Sequence, residues 1–165
     1  MDGLLVIDKP PGMTSHDVID EVRRRFRTRR VGHAGTLDPD ATGVLVVGVG
    51  HATRFLSYSQ AAPKRYLARA RFGVTTTTQD ASGELLERRP VDLDAEEVRA
   101  ALEDFRGEIE QVPPMVSAVK VGGERLYRKA RRGEEVERAA RRVTIHALDL
   151  VSFPAPRVEA VLDVR

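Results

Sequence analysis

The longest apolar run in the sequence, Gly43–Val49 (GVLVVGV), limits most tightly what the chain can fold into. A membrane-crossing helix needs roughly 18 to 20 apolar residues, so this run suits a short buried strand and no bilayer span. The N-terminus, MDGLLVIDKP, lacks a basic stretch leading into an apolar one, so no secretion signal is read there and a cytoplasmic location is expected.

The other segments are equally short. Gly3–Asp8 reads as a strand broken at Lys9-Pro10-Pro11-Gly12. Thr14 and Asp17 form a capping-box pair, and Val18, Ile19, Val22 and Phe26 follow at helical spacing, with arginines at the helix C-terminal end where cations suit the dipole. Val31–Thr42 has neither hydrophobic period and is read as a loop, and Thr53–Ser59 as a helical turn. Lys64–Phe72 alternates, with Tyr66, Ala68, Ala70 and Phe72 on one face and Arg65, Leu67, Arg69 and Arg71 on the other. Thr75–Gly83 reads as a hairpin loop, and Asp94–Phe105 as a helix capped by Asp94 with Glu97 and stopped by Gly107.

Further on, Val112-Pro113-Pro114-Met115 is extended, and a strand Ser117–Val121, a Gly122-Gly123 turn and a basic helix Glu124–Arg131 follow. Val143–Phe153 and Val158–Val164 are read as strands joined at Pro154-Ala155-Pro156. The sum is one α+β domain over residues 1–165, with a mixed, mostly antiparallel sheet and flanking helices. Its last strand runs straight into Arg165, so the sequence reads as cut within a longer domain.

At 165 residues the chain buries roughly two thirds of its unfolded surface, enough for a core without a structural metal. It has no cysteine, which removes thiol nucleophiles, iron–sulfur clusters and thiolate zinc sites. His16, His33, His51 and His146 never fall at H-x-x-x-H spacing, so neither a metal nor a redox cofactor is expected.

Charge is segregated. Residues 1–73 carry twelve basic and seven acidic groups, 74–119 four and eleven, and 120–142 nine and four. The acidic block reads as the solvated face of the Asp94–Phe105 helix. Of the basic residues 23 are Arg, whose planar fork suits phosphate oxygens, although genomic base composition alone can also produce such a bias. Arg23, Arg24, Arg25, Arg27, Arg29 and Arg30 crowd into eight positions, as either a solvated helix face or a phosphate footprint. The block Lys120–Arg142 has the same two readings, since Glu134, Glu135 and Glu137 could lace it with ion pairs.

The segment Gly32–Gly43 (GHAGTLDPDATG) carries the chemistry. Pro39 biases Asp38 toward an extended backbone, and an arginine cluster nearby favours an ionised carboxylate, the profile of a nucleophile or electrostatic stabiliser. An Asx-turn in which Asp38 caps its own loop is the competing reading. Asp40 is a second carboxylate in the same loop, and His33 fits a base, a ligand, a wedge or an idle surface residue.

These blocks together carry a resemblance. GLLVIDKPPGMTS (3–15), GHAGTLDPDATGVL (32–45), KRY (64–66), QVPPMVSAVK (111–120) and GERLY (123–127) resemble, in order, the TruB family of tRNA pseudouridine synthases, which isomerise the uridine at position 55 in the TΨC loop. The resemblance implies a pseudouridine synthase fold and an isomerase that flips its target base, uses no cofactor, works in tRNA processing, and acts as a monomer without an obligatory protein partner. It puts Asp38 on the catalytic aspartate, Tyr66 on the tyrosine that stacks under the target base, and His33 on the histidine that fills the space the base leaves. Lys9 and Pro10 match a motif that supports the active-site loop, and Lys9, Gly35 and Thr36 join His33 and Tyr66 as substrate-binding positions. The six arginines from Arg23 to Arg30 would hold the RNA backbone.

Two departures accompany it. Many relatives place an acid where Thr77 stands, and the family continues into a motif of the type C-S-x-G-T-Y-I-R, whose arginine pairs with the aspartate, and then a C-terminal RNA-binding domain. Neither lies within residues 1–165, so weak or no turnover is expected if these residues are the whole molecule. The alternatives are a tRNA-binding or folding module without chemistry, and the pseudouridylase of a guide-RNA particle.

Overall fold

A computed structural model describes residues 1–117 and 119–165, whose apolar side chains collect in two separate clusters. The chain accordingly divides into two units, Met1–Pro63 and Lys64–Arg165, where the sequence reading expects one domain. Each cluster draws its members from one unit alone, which is the physical reason for the division.

In the first unit, β1 (Gly3–Lys9) is followed by α1 (Ser15–Phe26), β2 (Val31–His33), β3 (Gly43–Val49), a 3₁₀ helix (Gly50–Phe55) and α2 (Leu56–Ala61). The sheet has the order β1-β3-β2 with both pairings antiparallel, Lys9 opposite Gly43 and His33 opposite Val47. α1 starts where the sequence places it: Thr14 N–H donates to the Asp17 carboxylate at 2.7 Å and Asp17 N–H to Thr14 Oγ at 3.1 Å. It ends at Arg27, whose left-handed backbone (φ 49°) lets its N–H close onto the Arg23 carbonyl. Val18, Ile19 and Val22 of α1 pack on Val31, Leu45, Val47 and Val49, each such side chain contributing roughly 1.5–3 kcal/mol on burial. Gly48 is required by close approach, because a Cβ there would lie 3.0 Å from the Thr53 backbone.

The second unit runs β4 (Tyr66–Arg71), β5 (Val74–Thr76), β6 (Leu85–Arg88), α3 (Ala95–Glu103), β7 (Gly107–Gln111), β8 (Lys120–Val121), β9 (Glu124–Arg125), α4 (Leu126–Arg131), β10 (Arg141–Ile145), β11 (Leu148–Ser152) and β12 (Glu159–Val164). β11-β12-β4 form an antiparallel sheet, β10 pairs with β7, and β5 with β6. Asp94 and Glu97 cap α3 reciprocally, as their spacing predicts. Val98 and Leu102 of α3 pack with Leu148, and Phe72, Leu150, Leu162 and Val164 join them.

The α+β class with antiparallel strands holds, while several boundaries differ. Val31–His33 is a strand and not loop, because Val31 is buried opposite Val49, and three residues are too few to display an alternation. β7 (GEIEQ) is hidden in the sequence by its acidic residues. The expected strand Val143–Phe153 breaks at His146-Ala147, whose amides turn to the Arg165 carbonyl at 2.7 and 3.2 Å. Of the expected strand Ser117–Val121, Ala118 lies outside the described residues and Lys120–Val121 forms β8. Glu134, Glu135 and Glu137 fall beyond α4 and lace no helix.

Candidate active site

The loop between β2 and β3 is shaped from outside itself. Lys9, at the end of β1, is fully buried, and its ammonium donates to the carbonyls of Pro10 (2.9 Å), Met13 (2.7 Å) and Pro39 (2.9 Å). Three donors on three acceptors satisfy a group that would be costly to bury unpaired. The Gly12 N–H donates to the same Pro39 carbonyl at 2.9 Å. One residue away, the buried Ser15 hydroxyl accepts from Leu37 N–H at 2.9 Å and donates to the Leu37 carbonyl at 3.2 Å. Both neighbours of Asp38 are thus fixed by residues of the β1–α1 segment.

Asp38 itself is exposed. Its carbonyl accepts the Ala41 N–H at 3.1 Å, and among the described residues no hydrogen bond or ion pair engages its carboxylate. The Asx-turn reading therefore fails, since the side chain caps nothing. Asp40 and Thr36 are exposed in the same loop.

His33, half-buried at the end of β2, bonds through Nδ1 to the Gly35 carbonyl. A carbonyl only accepts, so Nδ1 carries the hydrogen of this bond and Nε2 is left without a partner among the described residues. Gly35 has φ 148°, which L side chains rarely adopt, so its place in the box is a backbone requirement.

Lys9 needs a correction. With its side chain buried and every donor used, it supports the loop and presents no ammonium to a substrate. Ser15, which the sequence reading did not single out, matches it in importance; only its place in the 3–15 block could have signalled it.

The arginine cluster also divides. Arg23 is half-buried, donating to Asp20 at 2.9 Å and the Val31 carbonyl at 3.4 Å, and Arg24 pairs with Glu21. Arg25, Arg27, Arg29 and Arg30 are exposed, with no acidic partner among the described residues. In the 120–142 block, Arg132 is held by Glu124 and Glu134, and Arg138 and Arg141 donate to Pro113 and Gln111. No group of three or more metal-ligating side chains occurs among the described residues.

Tyr66 belongs to the second unit, where it opens β4 opposite Val164 with 47% of its surface exposed. Its neighbour Arg65 forks onto the buried Asp163, Nε to Oδ1 at 2.9 Å and Nη2 to Oδ2 at 2.5 Å. Those hydrogen bonds, helped by Arg165 and opposed by burial, hold the Asp163 carboxyl below the usual aspartate range. In the hairpin that holds Thr77, Asp80 accepts from the Ser82 and Thr78 hydroxyls at 2.6 and 2.7 Å, which lowers its pKa.

The sequence profile of the TruB family pseudouridylate synthase (N terminal domain) matches residues 23–165. The chain belongs to the TruB family. It is 60% identical over 153 residues to tRNA pseudouridine synthase B of Thermobifida fusca (strain YX), covering 92% of this chain and 52% of that protein. The enzyme of the same name from Symbiobacterium thermophilum is 55% identical over 166 residues, covering 99% and 56%. This chain thus spans about half the length of the TruB relatives it matches. Among solved structures, a Cbf5-Nop10-Gar1 complex aligns with a TM-score of 0.70 and 26% identity, over 98% of this chain and 38% of that one. An H/ACA RNP bound to a substrate RNA containing 2'-deoxyuridine aligns at 0.66 and 22%, over 98% and 37%, a likeness of fold alone.

Proposed function

We propose that the natural gene product carrying this sequence converts uridine to pseudouridine in tRNA, at position 55 of the TΨC loop. The observation that carries this reading is Asp38: an uncommitted, exposed carboxylate whose two neighbours are tied down by Ser15 and Lys9. Family membership supplies the reaction class.

The reaction breaks the N1–C1′ bond, turns the uracil and joins C5 to C1′; C5 then loses its proton and N1 gains one. The target nucleotide first leaves the stack, which costs a few kcal/mol. Stacking on an aromatic face returns about 1–3 kcal/mol, the part assigned to Tyr66. His33 occupies the vacated space. Asp38 acts by adding to the base ring or by assisting at the sugar, and Tyr66 or Asp38 takes the C5 proton. Gly35 and Thr36 line the approach to the carboxylate, and Arg25, Arg27, Arg29 and Arg30 meet RNA phosphates. The enzyme works as a monomer in the cytoplasm without a metal or organic cofactor; no helix among the described residues is long and apolar enough to cross a membrane.

The test is pseudouridine detection by mass spectrometry in a TΨC stem-loop incubated with the gene product. Formation of pseudouridine at the loop uridine is expected. RNA binding with no isomerisation would leave a tRNA-binding module in its place.

A further inference from the structure

We propose that Arg65, clamped on Asp163, is a positioning residue that sets where Tyr66 stands; this rests on the functional reading above. β4 begins at Tyr66, at the end of a strand, where ladders fray most readily. Tyr66 is 47% exposed and among the described residues its hydroxyl makes no hydrogen bond, so little but the backbone fixes it. The residue before it supplies that restraint.

In the β12–β4 register Asp163 lies opposite Leu67, and Arg65 shares the Leu67 face, one diagonal step away. Its guanidinium reaches Asp163 through Nε, at 2.9 Å from Oδ1 and 3.2 Å from Oδ2, and through Nη2 at 2.5 Å from Oδ2. The Asp163 side chain is only 7% exposed while that of Arg65 is 64% exposed, so the guanidinium closes over an inward carboxylate from the solvent side. Arg165 approaches the same Oδ2 at 3.5 Å and its backbone is bonded to Ala147, so the acceptor is itself anchored. A forked arginine–carboxylate contact fixes direction as well as distance, which a lysine cannot do. The clamp therefore holds the backbone on one side of Tyr66 while the ladder to Val164 holds the other.

A double-mutant cycle on the natural gene product tests this, with single-turnover rates at saturating enzyme over limiting stem-loop RNA and KM from steady-state series. Arg65→Gln, at an exposed side chain and assayed well below its own melting transition, which loss of the ion pair should lower, should reduce the rate about tenfold or more, the scale of a misplaced reacting group, with KM nearly unchanged. Arg65→Lys should recover little, because it restores charge without the fork. In a Tyr66→Leu background Arg65→Gln should change the rate by less than about twofold, since its route through the ring is gone. A raised KM at unchanged rate would make Arg65 an RNA contact, and multiplying losses in the Tyr66→Leu background would make it independent of Tyr66; either overturns the clamp. Absence of pseudouridine with the unaltered protein would instead overturn the functional reading and the clamp's purpose with it.

Discussion

The Lys9 ammonium donates to the Pro39 carbonyl at 2.9 Å, joining the end of the first strand to the residue that follows Asp38. A buried cation thereby serves as the keystone of a loop it does not belong to, with the Met13 and Pro10 carbonyls filling its remaining donors.

Lys9→Met keeps the stem and removes all three donors. The Pro10 and Met13 carbonyls lose this partner and the Pro39 carbonyl keeps only the Gly12 N–H, which should cost about 1–3 kcal/mol, read as a lower melting temperature. Turnover should fall with it, because Pro39 loses one of its two anchors. An unchanged melt would mean that water replaces the ammonium.

Asp38→Asn should abolish pseudouridine formation while leaving RNA affinity within about tenfold, roughly 1.4 kcal/mol. The loop should keep its shape, because no bond that shapes it comes from the Asp38 side chain. Asp40→Asn removes an equal charge two positions away and should leave near-normal turnover. Equal collapse of both variants would refute the assignment.

Neutralising Arg25, Arg27 and Arg29 should reduce the slope of log affinity against log salt by about 2 to 3, since each lost phosphate contact releases fewer counterions. Arg24→Gln should change it less, as Arg24 is engaged with Glu21. Isothermal binding series at several salt concentrations decide the point; equal slopes would return the cluster to solvation.

Stability should depend on acid through Asp163. Its carboxyl titrates lower in the folded chain than in the unfolded one because Arg65 bonds the charged form, so the folded state binds fewer protons between the two values. The contribution is complete above the ordinary aspartate value of about 3.9 and is lost as pH falls through the lowered one. Acid melts should show the advantage over Asp163→Asn shrinking below about pH 4. A gap that stays constant down to about pH 2 would exclude the ion pair as its source.

What the sequence discloses here is what lies within a few residues. The capping boxes Thr14/Asp17 and Asp94/Glu97, and the Asp38-Pro39 pair in its glycine-bounded box, are local patterns with a local cause. Lys9 shows the limit: its motif is visible, but which atoms its ammonium meets depends on how β1 and the loop after β2 fold together, and it turns inward. Arg65 and Asp163 stand 98 positions apart, so no spacing rule could join them. The division into two units was equally hidden, because hydropathy does not say which apolar residues share a cluster.

The loop that carries Asp38 separates what holds it from what it offers. Its shape comes from Lys9, Ser15, the Gly12 amide and the His33 ring, all acting on backbone atoms, while Thr36, Asp38 and Asp40 face outward with no part in that framework among the described residues. Variation can therefore rewrite the outward chemistry at those three positions at little cost to the fold, whereas Lys9 and Ser15 have no such latitude. In a lineage drifting toward a new RNA, or losing catalysis altogether, the scaffold should outlast the reaction.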